Sequence, residues 1–121
     1  MANNRTTGSQ YEKLAAKFLA QKGYRILEQN YRIRSGEVDI IAWHNDTLVI
    51  CEVKYRRSLA NGSPFEAVDY RKQRQISKVT AQYLVYRGFG SEVPVRFDVI
   101  GISGNGKIDH IENAFEFCYG R

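Results

Sequence analysis

The chain has 121 residues, enough for one domain with a real core and too few for two. Hydrophobic residues make up 43% and charged residues 26%, an ordinary balance for a soluble globular protein, and no stretch approaches the ~20 apolar residues of a membrane span. The formal net charge of +5 favours a polyanionic partner, nucleic acid first.

The first ten residues lack an apolar core behind a basic head, so they do not read as a signal peptide. Met1 to Gly8 reads as a flexible arm. Ser9 followed by Glu12 makes a capping-box pattern, and Tyr11, Leu14, Ala15, Phe18 and Leu19 fall at the spacing of a core-facing helical stripe. Gly23 closes that helix. On local sequence alone Glu12 serves the helix end as readily as any chemistry. Tyr24 to Asn30 is a first strand, and Arg32 to Gly36 a basic loop. Gly36 suggests a tight turn or close approach of a ligand to backbone.

The centre of the chain is the stretch from Gly36 to Arg57. It reads as two strands, Val38 to Trp43 and Leu48 to Tyr55, joined by a turn at Asn45-Asp46. A symmetric hairpin about that turn sets Trp43 opposite Leu48 and Ile41 opposite Ile50. The same register would set Asp39 opposite Glu52 and Glu37 opposite Lys54. Opposed carboxylates about 5 Å apart repel by roughly 3 kcal/mol at an effective dielectric of about 20. A divalent cation removes that cost, and Mg²⁺ takes one or two carboxylates together with waters and phosphate oxygens. The plainer alternative is a set of cross-strand ion pairs with Lys54.

Beyond the hairpin, Arg56 and Arg57 continue the positive charge. Ser63-Pro64-Phe65-Glu66 has the form of a helix start, with a restart at Asp69, and a long helix runs to Arg87 and ends at Gly88. Ile76, Val79, Thr80, Tyr83 and Tyr86 are its expected core side. Arg71, Arg74 and Lys78, with Lys72 nearby, form a basic stripe on the outward side. Such a stripe is usually a solvated face, but no acid balances it before Arg87, which favours phosphate contact. Val95 to Ile102 is a central strand carrying Arg96 and Asp98 on one face, as an ion pair or as support for the site. Lys107 to Glu112 is an edge strand, and Phe115 and Phe117 pack on the core. His44 and His110 read as surface histidines. Cys51 and Cys118 provide neither a disulfide framework nor a metal spacing, which fits a reduced, cytoplasmic setting.

The order of elements implies an α/β sandwich: a central mixed sheet with the first helix on one face and the basic helix on the other. With Gly8-x-x-x-Glu12, Gly23-Tyr24, Gly36-Glu37-Val-Asp39-Ile-Ile, Glu52-Val-Lys54-x-Arg56 and Arg96-Phe-Asp98 in place, the chain resembles the restriction-endonuclease-like superfamily with its PD-(D/E)-x-K signature. More narrowly it is similar to the YraN-like bacterial proteins, themselves similar to archaeal Holliday-junction resolvases. Val38 stands where the signature usually has Pro.

The resemblance implies a restriction-endonuclease-like three-layer sandwich in a single domain, 1–121, and a nuclease dependent on Mg²⁺ or Mn²⁺. It implies that Asp39 and Glu52 are metal ligands, that Glu12 completes the metal site, and that Lys54 positions or activates water. Glu37 is an additional candidate. Arg56, Arg57, Arg71, Lys72, Arg74 and Lys78 are the expected nucleic-acid contacts. The expected reaction is hydrolysis of phosphodiester bonds in DNA, with branched or recombination and repair intermediates as candidate substrates. A non-catalytic nucleic-acid-binding module of the same fold and an RNA-acting nuclease are the alternatives, and a homodimer stays open.

Overall fold

The structure, a computed structural model, describes residues 4–56 and 68–118, without the side chains of residues 4–9 and Arg56. Helix α1 (Asn4–Gln21) leads into strands β1 (Arg25–Ile33), β2 (Gly36–His44) and β3 (Thr47–Arg56). Helix α2 (Tyr70–Arg87) then crosses to β4 (Val95–Ser103), and β5 (Ile108–Phe115) ends the described fold. The strands form one sheet in the order β1-β2-β3-β4-β5. Only β3 and β4 run parallel; the other neighbours are antiparallel. Two antiparallel strands can be joined by a short turn, whereas the parallel pair needs a long crossover, which here contains α2.

The sheet is buried on both faces, and each face has its own core. Ala15, Ala16 and Leu19 of α1 pack on Ile40, Ala42, Val49, Cys51, Ile100 and Ile102. Ile76, Val79 and Tyr83 of α2 pack on Val38, Ile41, Leu48, Ile50, Phe97 and Val99. The α/β sandwich with one helix per face is therefore as expected. Apolar runs such as Leu48 to Cys51 follow from this arrangement, because neither side of β3 meets water there.

Several boundaries differ from the sequence pattern. α1 begins at Asn4, so residues 4–8 belong to the helix rather than to a flexible arm. Serine costs only a few tenths of a kcal/mol inside a helix, so the Ser9 box permits a start without imposing one. Ala16 is buried in the stripe while Leu14 is 40% exposed. β1 runs on through Ile33, which leaves little of the expected basic loop. β5 reaches Phe115, whose ring stacks on Phe97, while Phe117 meets Phe97 edge-on.

α2 starts at the Asp69 cap, whose carboxylate accepts from the Lys72 backbone N–H, and it ends at a left-handed Gly88. Tyr86, expected in the core, is 71% exposed; Ile76, Val79, Thr80 and Tyr83 are buried as expected. The Ser63–Glu66 helix start and Arg57 lie outside the described residues.

One irregularity positions the candidate site. Val38 packs on the α2 side of the sheet and Ile40 on the α1 side, although residues two apart on a regular strand share a face. The strand thus changes phase at Asp39. β1 changes phase with it: Gln29 pairs with Ile40 and Tyr31 with Val38, and Asn30 between them has a left-handed φ of 56°. Asparagine tolerates that conformation better than most residues.

Candidate active site

The β2–β3 hairpin keeps the expected register near its turn, with Trp43 opposite Leu48 and Ile41 opposite Ile50. The ladder ends at Ile40 opposite Cys51. One step further Asp39 and Glu52 would be partners, and there the strands part. Instead of a backbone acceptor, the Asp39 carboxylate takes the next β3 amide: Val53 N–H donates to Asp39 Oδ2 at 2.8 Å. Asp39 therefore sits in the fork between two strands, with a helix on each side of the sheet.

Glu12 reaches this fork from α1. Its carboxyl lies near enough to Asn30 and Asp39 for both to act on its pKa. From the other side, Glu52 faces α2: Lys72 Nζ lies 3.4 Å from Glu52 Oε2, and Lys54 Nζ lies 3.7 Å from the same oxygen. Lys72 also donates to Gln75 Oε1 at 3.1 Å. A Cβ on Gly36 would stand 2.5 Å from Gln75 Cγ, so only glycine lets this helix side chain lie against the start of β2. At Gly36 the group against the backbone is the Gln75 side chain, where the sequence suggests a turn or a ligand, and neither Gln75 nor Asn30 is apparent from sequence. An asparagine inside a strand pattern was the one signal for the latter.

The electrostatics are strained. The Glu52 side chain is only 6% exposed. Burial, then the neighbouring Asp39 charge, pushes its pKa up to about 8, against the pull of the Lys72 and Lys54 ammoniums. Glu12 is also raised, by partial burial, then by Asp39 and more weakly by Glu37, with its Asn30 hydrogen bond opposing. Clustered carboxyls with raised pKa values are characteristic of sites whose charge is completed by something else.

Among the described residues, no three His, Cys, Asp or Glu side chains are arranged to hold a metal ion. The acids are linked to each other through Asp39 instead. The donors are all carboxylate oxygens, and two of them, Asp39 and Glu52, meet the modest protein requirement of Mg²⁺. The set fits a hard divalent cation that keeps most of its own waters.

The other candidates are placed as follows. Glu37 pairs with Arg32 across the β1–β2 ladder, with Arg32 Nη2 at 3.4 Å, and not with Lys54. The phase change at Asp39 and the parting of β2 from β3 remove the expected Glu37–Lys54 pairing. Lys72 points to Glu52 and away from the outward stripe. Arg71 and Lys78 are exposed, and half-buried Arg74 lays its guanidinium over the Tyr70 ring at 5.7 Å. Arg56 ends β3.

A second polar cluster lies on the sheet around Asp98, which is fully buried. Arg96 donates to both its oxygens at 2.9 Å, His110 Nε2 is 2.7 Å from Oδ2, and the Asn113 backbone N–H reaches Oδ1 at 3.0 Å. Arg96 also donates to Tyr24 Oη at 2.6 Å. Burial alone would raise Asp98, but hydrogen bonds from His110, Arg96 and Asn113 outweigh it and hold the pKa below the usual range. His110 is thus no surface residue: its side chain is 3% exposed. An alternating polar edge strand hides this, because burial comes from Phe18 and Tyr24 packing over the ring.

The sequence profile of the family described as "Uncharacterised protein family UPF0102" matches residues 11–102, the span that holds Glu12, Asp39, Glu52, Lys54 and α2. A UPF0102 protein of Alkaliphilus oremlandii (strain OhILAs) is 51% identical over 116 residues, 93% of this chain and 99% of that protein. One from Syntrophus aciditrophicus (strain SB) is 48% identical over 124 residues, 100% of this chain and 97% of its own. One from Stutzerimonas stutzeri (strain A1501) is 40% identical over 119 residues, 96% and 99% of the two chains. With the profile covering most of the fold and relatives matching nearly end to end, the chain belongs to the UPF0102 family.

Proposed function

We propose that this protein is a metal-dependent DNA endonuclease of the restriction-endonuclease-like kind, hydrolysing phosphodiester bonds in branched recombination or repair intermediates. The observation that carries the proposal is the fork itself. Asp39 of β2 lies between Glu12 of α1 and Glu52 of β3 and raises the pKa of both, Glu52 is buried with its pKa pushed up to about 8, and two lysines stand against it. A structural ion-pair cluster has no need of three acids there.

Asp39 and Glu52 would hold Mg²⁺ or Mn²⁺, with Glu12 completing the acidic side. A bound metal supplies Lewis acidity toward a water and a phosphate oxygen. Asp39 is held in place by the Val53 N–H, so it is aimed before any substrate arrives. Lys54 Nζ donates hydrogen bonds to the attacking water or to a non-bridging phosphate oxygen as negative charge builds there. Lys72 offers a second ammonium from α2. Arg71, Arg74 and Lys78 on the same helix would contact backbone phosphates outside the site.

The test compares wild type with Lys54→Ala on linear, nicked, flapped and four-way DNA and on RNA, with Mg²⁺ or Mn²⁺. The variant is expected to keep its circular dichroism and DNA binding while cutting about 10²–10³ more slowly. Equal cutting by both proteins removes Lys54 from the chemistry. A second reading, the non-catalytic nucleic-acid-binding module, is favoured by one observation: Lys54 and Lys72 already stand 3.7 and 3.4 Å from Glu52, as in a structural ion-pair cluster. Absence of cutting by wild type on every substrate selects that reading.

A further inference from the structure

We infer that Tyr55, backed by Tyr11, is a base-stacking residue at the mouth of the site, and that the preferred substrate is a strand with unpaired nucleobases rather than a continuous duplex. The inference rests on the nuclease reading for its setting and narrows its substrate class.

The two rings stack at 4.2 Å between centroids and 15° between planes, joining α1 to the end of β3. Each is the chain neighbour of a candidate catalytic residue, Tyr11 of Glu12 and Tyr55 of Lys54. Strand alternation turns Tyr55 to the α1 side with Val53, while Glu52 and Lys54 face α2. Tyr11 covers one face of Tyr55, yet Tyr55 remains 37% exposed, so the stack leaves part of the residue open to solvent. A tyrosine that serves packing alone looks different here: Tyr83 is fully buried, with its hydroxyl held between Glu28 and Arg87.

A second exposed ring stands beside a cation on the outward side of α2. Tyr70 opens α2, is 58% exposed, and carries the Arg74 guanidinium over its ring. Exposed aromatic rings beside cations are the elements by which proteins hold single strands, since every base offers a π-face and every nucleotide a phosphate. In a duplex those faces are already occupied by neighbouring bases, so Tyr55 gains a stacking partner only from an unpaired one.

The experiment measures binding in Ca²⁺ of a 2-aminopurine-labelled single-stranded DNA 12-mer, its RNA counterpart and the matching DNA duplex. Wild type, Tyr55→Phe and Tyr55→Leu are compared. Tyr55→Phe should bind as wild type does. Tyr55→Leu should lose about tenfold on the single strands and leave duplex affinity unchanged. On the wild type itself, a 5-iodouracil-substituted single strand should photo-crosslink to Tyr55, which keeps the test alive should the Leu variant fail to fold. Equal binding of single strand and duplex by wild type and Tyr55→Leu, or crosslinks that all miss Tyr55, overturns the inference and leaves metal-dependent cutting of duplex substrates standing. A Tyr55-dependent single-strand preference without cutting upholds it while the nuclease chemistry fails. No binding to any of the three overturns both.

Discussion

The fork at Asp39 and the cluster at Asp98 set buried carboxylates in the same sheet, and the protein treats them in opposite ways. Asp98 accepts from two Arg96 nitrogens and a backbone amide and lies against His110, and its pKa is held down. Glu52 is nearly as buried, but its nearest acid is Asp39 and its lysine contacts are 3.4 and 3.7 Å away, and its pKa is pushed up. A carboxylate with its hydrogen-bonding capacity filled belongs to the scaffold. One left short, beside another acid, has capacity remaining for a cation or a proton. Burial and charge alone do not tell these two acids apart; the count of hydrogen-bond donors does.

The sharpest way to break this comparison is to remove the satisfied acid. Asp98→Asn keeps the shape but leaves Arg96, among the described residues, with only Glu112, at 4.0 Å, as an acidic partner. Unfolding in urea should show a loss of about 3–5 kcal/mol, the cost of orphaning one partner of a buried pair. A loss below 1 kcal/mol would falsify the scaffold role.

Next in size is the opposite substitution at the fork. Folded Glu52 holds its proton more tightly than the unfolded chain does, so its contribution to stability is full below pH of about 4.5 and is lost as pH rises to about 8. Glu52→Gln should therefore stabilise the protein at pH 8.5, without divalent ions, by on the order of a few kcal/mol, and should flatten the fall of stability between those pH values. Melting curves across the range check both. A variant less stable than wild type at pH 8.5 would mean that its lysine pairs, and not the strain, dominate.

A smaller effect distinguishes the two acids by what they attract. Calcium or manganese in millimolar excess should raise the melting temperature by several degrees through binding to the native state, about 2.7 kcal/mol at a hundredfold excess over Kd. Asp39→Asn should abolish most of that rise. No shift with any divalent ion removes the metal from the proposal and leaves the ion pairs as the whole explanation of the fork.

The smallest effect is on α2. Replacing exposed Arg71 with Ala should weaken DNA binding across all sequences and flatten the log–log salt slope by up to about one unit. Replacing Lys72 should differ, because it faces Glu52. An unchanged slope for Arg71→Ala makes the outward stripe a solvated face.

Much of this protein was written in local pattern. The turn at Asn45-Asp46, the apolar alternation around it and the acid–x–lysine of Glu52 and Lys54 predict the hairpin and its register up to Ile40 and Cys51. The capping residue Asp69 and Gly88 mark α2, because caps satisfy backbone groups within a few residues. Periodicity also assigned most core positions of both helices.

What local pattern did not determine were the phase change at Asp39, the parting of the strands beyond it, and so the partners of Glu37, Lys72 and Gln75. A symmetric hairpin has no reason to open at one pair. It opens here because β1 kinks at Asn30, the Asp39 side chain takes over a ladder hydrogen bond, and helices from both faces bring Glu12 and Lys72 to the gap. The burial of His110 has the same origin. Its burial is set by residues more than eighty positions away, and no window of sequence around it contains them. Sequence determined which elements form, through interactions a few residues long; which charges meet was decided by packing three layers together.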